Sequence, residues 1–191
     1  VFQFVLKVLA KEKLLSGKTL GIDATTLEAN AAMRSIVRKD SGESYAEFLT
    51  ELAKESGVET PTKEDLAKLD KTRKNKASNA DWESSDDPDA GITKMKDGTT
   101  HLAHKSEHAV DLETDAVVAV DLSPGHTSDP ESLSNTLAVA DANLAAVHEE
   151  YEEIPERANE AVTDKGYHNN KTLTELAGDG TRSYISEPER G

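Results

Sequence analysis

Two aspartates, Asp23 and Asp164, stand where short apolar stretches give way to turn residues. Lys18-Thr19-Leu20-Gly21-Ile22 reads as a brief strand ending on Asp23, and Ala161-Val162-Thr163 as another running into Asp164-Lys165-Gly166-Tyr167. Open α/β sheets place their sites at the C-terminal ends of strands. Two carboxylates there, on neighbouring strands, would offer hard oxygen ligands to Mg²⁺. A pair of such ions can activate a water or a DNA 3′-hydroxyl and stabilise the oxygen leaving a phosphodiester. The same residue type also serves as turn former or helix cap. With 37 acidic residues in the chain, spacing alone does not choose between these roles.

A second constellation is His104-Lys105-Ser106-Glu107-His108, which fits the His-x-x-Glu-His pattern of inverted zinc peptidases. That chemistry needs both histidines on one helical face with the glutamate set as base. The surrounding residues favour a strand, in which His104 and His108 share a face and Glu107 points to the other. His101 is a further possible contact to an acidic site. The basic run Lys68, Lys71, Arg73, Lys74 and Lys76 suits phosphate contacts or a solvated helix end equally well. Lys165 and Tyr167, bordering the second aspartate, are candidates to meet DNA phosphate or a flipped base. Turn geometry accounts for Gly166 as readily as function does.

The elements that must position these residues follow from periodicity and punctuation. Phe2 to Leu15 has helical spacing and closes at Ser16-Gly17. After the strand ending at Asp23, the Ala-, Leu- and Ile-containing stretch Thr25 to Val37 predicts a helix. A second helix is expected over Tyr45 to Lys54, and a third announced by Thr60-Pro61 as cap and first position. Lys68 to Asp89 reads as a polar loop with Trp82 as its apolar anchor. Thr99 to Val110 and Ala116 to Val120 predict a hairpin. Asp129 opens a long helix with the stripe Leu133, Leu137, Ala140, Leu144 and Val147. Asn169 caps a helix around Leu173 and Leu176, and a last strand surrounds Tyr184-Ile185. The sum is an α/β domain with a mixed sheet.

Composition narrows the classes. The chain has 191 residues, 36% hydrophobic and 4% aromatic, and no cysteine, which excludes disulfides and thiolate metal sites. No apolar run reaches the length of a membrane span, and the first residues lack a signal-peptide pattern. A soluble, cytoplasmic domain is expected. The net charge of −15 runs against the basic footprint usual in nucleic-acid binders. Val1 and Gly191 read as ends within a longer protein.

Several blocks carry a family resemblance. Gly21-Ile22-Asp23-Ala24-Thr25-Thr26-Leu27-Glu28-Ala29-Asn30-Ala31-Ala32 resembles the block around the first catalytic aspartate of bacterial insertion-sequence transposases with a DDE domain. Val162-Thr163-Asp164-Lys165-Gly166-Tyr167 is similar to the block around their second. Met33-Arg34-Ser35-Ile36-Val37-Arg38, Asp89 to Gly98 and Thr100-His101-Leu102-Ala103-His104-Lys105 also look like this group, in order along nearly the whole chain.

The resemblance implies an RNase H-like α/β fold, a mixed sheet flanked by helices, whose first and fourth core strands lie side by side. Residues 1–17 would be a linker helix and 18–191 the catalytic core, with a helical and polar insertion at about 40–97. It further implies Mg²⁺- or Mn²⁺-dependent cleavage and strand transfer at transposon ends. Asp23 and Asp164 would be catalytic residues and ligands of two metal ions. Lys68, Lys71, Arg73, Lys74, Lys165 and Tyr167 would be DNA contacts. Transposon-end and target DNA, and a second copy in a homodimer, would be the partners, in a bacterial, nucleoid-associated setting without a membrane. A third acid, a glutamate on a later helix, is also implied. Glu175, Glu187 and Glu189 do not fit that place, so it is expected beyond Gly191, with weak metal binding and poor cleavage by this segment. The alternatives are a degenerate, non-catalytic transposase remnant and a zinc hydrolase using His104, Glu107 and His108.

Overall fold

A parallel strand pair lies at the centre of the architecture. In a computed structural model of the chain, which describes residues 1–73 and 77–187, helix α1 (Phe2–Lys11) precedes strand β1 (Thr19–Glu28). A short strand β2 (Ile36–Arg38), helices α2 (Tyr45–Glu55) and α3 (Lys63–Thr72), and strands β3 (Trp82–Ser84) and β4 (Gly91–Lys94) follow. Next come β5 (Thr100–Asp111), β6 (Val117–Pro124), α4 (Asp129–His148), β7 (Glu160–Thr163), α5 (Asn170–Gly178) and β8 (Arg182–Ile185). The chain divides into two compact units. One comprises Val1–Thr25, Lys105–Ser123 and the residues from Thr127 on; the other comprises Thr26–His104 with Pro124–His126.

In the first unit the strand order is β6-β5-β1-β7-β8. β1 and β7 are parallel, with Thr19 level with Glu160 and Ile22 level with Thr163, and β8 continues parallel to β7. β5 runs the other way, with Leu112 N–H donating to the Thr19 carbonyl at 3.0 Å; in the second unit, the continuation of the same two strands has Ala29 N–H on the Leu102 carbonyl at 2.8 Å. The hairpin to β6 is closed by Asp111 N–H on the Ala116 carbonyl, with Asp115 at φ 60° in its turn. The sheet is therefore mixed, as the sequence predicts.

Helix α4 starts well because Asp129 and Glu131 lie in its first turn, where carboxylates favour the helix dipole, and Pro130 fits a position needing no donor. Its stripe of Leu133, Leu137, Ala140, Leu144 and Val147 is buried as expected. It packs with Leu20, Ile22, Ala109, Val118 and Ala161 from the sheet, Leu6 and Ala10 from α1, and Leu176 from α5. Burying each such leucine contributes about 1.5–3 kcal/mol. Asn169 caps α5 by accepting the Lys171 N–H at 2.8 Å.

The second unit contains the two-stranded sheet β2-β3, antiparallel, and β4 paired with Thr100–Ala103 of β5. Ile36, Trp82 and Leu102 form its core, with Tyr45 and Phe48 of α2 edge-on to the indole at 5.1 and 5.3 Å. Three expectations are corrected here. The predicted helix over Thr25–Val37 is absent: β1 continues to Glu28, and the chain then makes a turn at Met33–Ser35 and enters β2. The Ala29–Leu102 hydrogen bond outweighs the local helix preference of the alanines. Helix α3 is capped by Thr62, whose hydroxyl and Asp65 form a reciprocal capping box, and not by Thr60. Trp82 belongs to a strand, 4% exposed, and is not a loop anchor. Among the described residues no helix is long and apolar enough to cross a membrane.

Candidate functional site

Asp23 is not the last residue of its strand, as the sequence suggested, but the first to leave the pairing with β7. The last paired couple is Ile22 and Thr163; Asp23 follows within β1 and Asp164 follows just past the end of β7. Both side chains are exposed. Successive residues of a strand face opposite sides, so the buried Ile22 and Thr163 leave both aspartates directed away from the core. Asp164 also caps the single 3-10 turn Lys165–Tyr167, accepting the Gly166 N–H at 2.8 Å.

A third carboxylate, which sequence reasoning missed, belongs to Asp129 at the start of α4. A β-carbon on Gly166 would stand 2.6 Å from Asp129 Oδ2 and 3.0 Å from Asp164 Oδ1. Gly166 does not have a positive φ. Of the two readings the sequence left open for Gly166, a left-handed turn position is not observed, and the residue instead occupies tight space between two carboxylates.

Behind this group lies a buried polar network. Lys105 Nζ donates to Asp129 Oδ1 at 2.6 Å and to Ser132 Oγ at 2.8 Å, with Glu107 Oε1 at 3.6 Å. Glu107, 1% exposed, accepts from the Ser132, Thr136 and Tyr167 hydroxyls at 2.7, 2.5 and 2.8 Å. Burial, followed by the hydrogen bond to Glu107, pushes the Tyr167 phenol well above its ordinary range, and the charges of Asp129 and Asp23 push the same way. A signal for this network was present: Lys105, Glu107 and Asp111 alternate with Ala109 along β5, and Ser132 and Thr136 flank the apolar stripe of α4 one turn apart. The sequence placed Glu107 on the face opposite His104 and His108 without saying which face is covered; Lys105, Glu107, Ala109 and Asp111 are all buried.

The remaining candidates are dispersed. Tyr167, expected to meet DNA, is 1% exposed and turns its ring and hydroxyl inward; Lys165 beside it is exposed. Lys68 and Lys71 are exposed on α3. Arg73 is half-buried, donates to Asp70 at 2.8 Å and to the Tyr45 hydroxyl, and lies over the Tyr45 and Phe48 rings. Lys74 and Lys76 lie outside the described residues, as does Glu189. Glu175 pairs with Lys171 on α5 at 3.6 Å.

The His-x-x-Glu-His segment is strand, so the helical face required for zinc is not formed. His104 bonds Asp87 at 2.9 Å, while His101 bonds Glu28 and Thr99. Among the described residues no three His, Asp or Glu side chains are grouped to hold a metal ion unaided. Asp23 and Asp164 nonetheless present exposed, hard oxygen donors on adjacent strands, a donor set suited to Mg²⁺ or Mn²⁺ when water and phosphate oxygens complete the shell.

The fold and site together define an α/β protein with a mixed sheet and paired acidic residues where its parallel strands part. No protein-family model matches the chain, nor does any curated protein compared with it.

Proposed function

We propose that this chain is a DDE transposase catalytic core of RNase H-like fold, with Asp23 and Asp164 as its first two metal-binding carboxylates. The observation that carries the reading is the parallel pairing of β1 with β7, which brings residues 141 positions apart onto adjacent strands. β1, β5, β6 and β7 serve as core strands one to four once β2, β3 and β4 are set aside as inserted. The first and fourth are then neighbours, which is the arrangement the resemblance implies.

Asp23 and Asp164 would hold the divalent cations that supply Lewis acidity at a phosphodiester and activate the attacking water or 3′-hydroxyl. Held on separate strands, the two carboxylates orient one face toward an incoming phosphate. Their negative field, in a chain of net charge −15, makes phosphate approach depend on cation binding. Lys165, exposed beside Asp164, would meet a phosphate oxygen. The DNA partner and the DNA-contacting role of Lys68 and Lys71 belong to the same proposal.

The test is titration of Mn²⁺ into the chain by calorimetry, repeated on Asp23→Asn and Asp164→Asn. Cleavage of a DNA duplex is followed in parallel. Binding that either substitution abolishes, with any cleavage dependent on Mg²⁺ or Mn²⁺, is expected. Metal binding indifferent to both substitutions, or stoichiometric zinc lost on His104→Ala, would overturn it.

A further inference from the structure

A buried carboxylate is a poor source of net stability, because its desolvation offsets most of the attraction it gains. Glu107 is such a group, yet its partners leave it a single geometry. Ser132 and Thr136 hold it from α4, and the Tyr167 hydroxyl reaches its Oε1 at 2.8 Å. Tyr167 ends the turn that Asp164 begins, three positions earlier. Asp129, three residues before Ser132 in the first turn of α4, is held by Lys105 from the strand that carries Glu107. One buried carboxylate therefore ties down both the turn bearing Asp164 and the helix start bearing Asp129.

We infer that Glu107, acting through Tyr167, is a positioning residue for the Asp164 carboxylate; the inference rests on the metal-binding reading of that aspartate. Glu107 does not touch metal or substrate. Its hydrogen bond to Tyr167 fixes the turn, and the turn fixes where Asp164 Oδ1 and the Gly166 N–H stand. Supporting residues of this kind typically change metal affinity by roughly tenfold to a hundredfold when altered.

The experiment uses the full chain with Tyr167→Phe, which removes the one hydroxyl and keeps the ring, and Glu107→Gln as a second variant. Asn143→Ala is the control. It removes a buried hydrogen bond from α4 to the Val118 carbonyl without touching the network. Mn²⁺ affinity is measured by calorimetry alongside thermal stability. In the metal-free protein, the Gly166 amide is followed by NMR chemical shift and order parameter.

Tyr167→Phe is expected to weaken Mn²⁺ binding by roughly tenfold or more and to loosen the Gly166 amide, while Asn143→Ala loses stability at unchanged affinity. Wild-type affinity in Tyr167→Phe, or an equal loss in Asn143→Ala, would overturn the inference. If the wild-type chain binds no Mn²⁺ through Asp23 and Asp164, the functional reading fails and the metal-free amide decides the positioning role. A changed Gly166 signal then upholds it, and an unchanged one refutes it.

Discussion

Asp23 and Asp164 each follow directly on Ile22 and Thr163, the last level pair of two parallel strands. Neighbouring strands lie about 4.8 Å apart, inside the Cα separation that a disulfide spans. The chain has no cysteine of its own. The double variant Asp23→Cys/Asp164→Cys should therefore form an intramolecular disulfide under mild oxidation, visible as a gel shift reversed by reductant. Persistence of two free thiols would show that the two segments diverge beyond disulfide reach within one residue of the last level pair.

Asp111 is fully buried at the end of β5 and accepts the Ser16, Gly17 and Glu113 N–H groups at 2.6, 2.9 and 3.0 Å. Asp111→Ala leaves these donors without their acceptor, at about 1–3 kcal/mol for an unsatisfied buried group. A drop in unfolding free energy of roughly 2–4 kcal/mol is expected in urea titrations. Loss of less than about 0.5 kcal/mol, as for an ordinary surface site, would contradict the described role.

Gly17 has φ +68°, and a β-carbon there would stand 2.7 Å from Leu144 Cδ2. Gly17→Ala combines a left-handed backbone cost of about 1–2 kcal/mol with overpacking of about 1–3 kcal/mol. Gly180, at φ +78° with open space around it, incurs the backbone cost alone. Denaturation of the two alanine variants should rank Gly17→Ala as the more damaging.

Asp141 is held above the ordinary carboxylate range chiefly by burial, which the Ala158 N–H at 3.0 Å and Arg157 oppose. The folded state thus binds this proton more tightly than the unfolded state. Its contribution becomes unfavourable as pH rises from the ordinary value of 3.8 through the raised folded value. Asp141→Asn should match the wild type below that window and exceed it in thermal midpoint at neutral pH. A gap that does not change with pH would refute the assignment.

Local signals were legible where the chain's own period sufficed. The α4 stripe, the Asn169 cap and the β5–β6 hairpin follow from spacings within about twenty residues. The stretch after Asp23 was misread because its pairing partner, Leu102, lies more than seventy residues away. The burial of Glu107 was not legible because its donors come from α4 and from Tyr167, both distant in sequence.

The sequence by itself marked Asp23 and Asp164 as candidate carboxylates, since side-chain chemistry and turn-forming neighbours are local properties. It determined the α/β alternation for the same reason. Only the tertiary structure decided that Asp23 and Asp164 follow the last level pair of adjacent parallel strands, and that Asp129 and Asp164 flank Gly166. Parallel pairing and buried polar networks are made between distant segments, and their energies depend on geometry that no sequence period encodes.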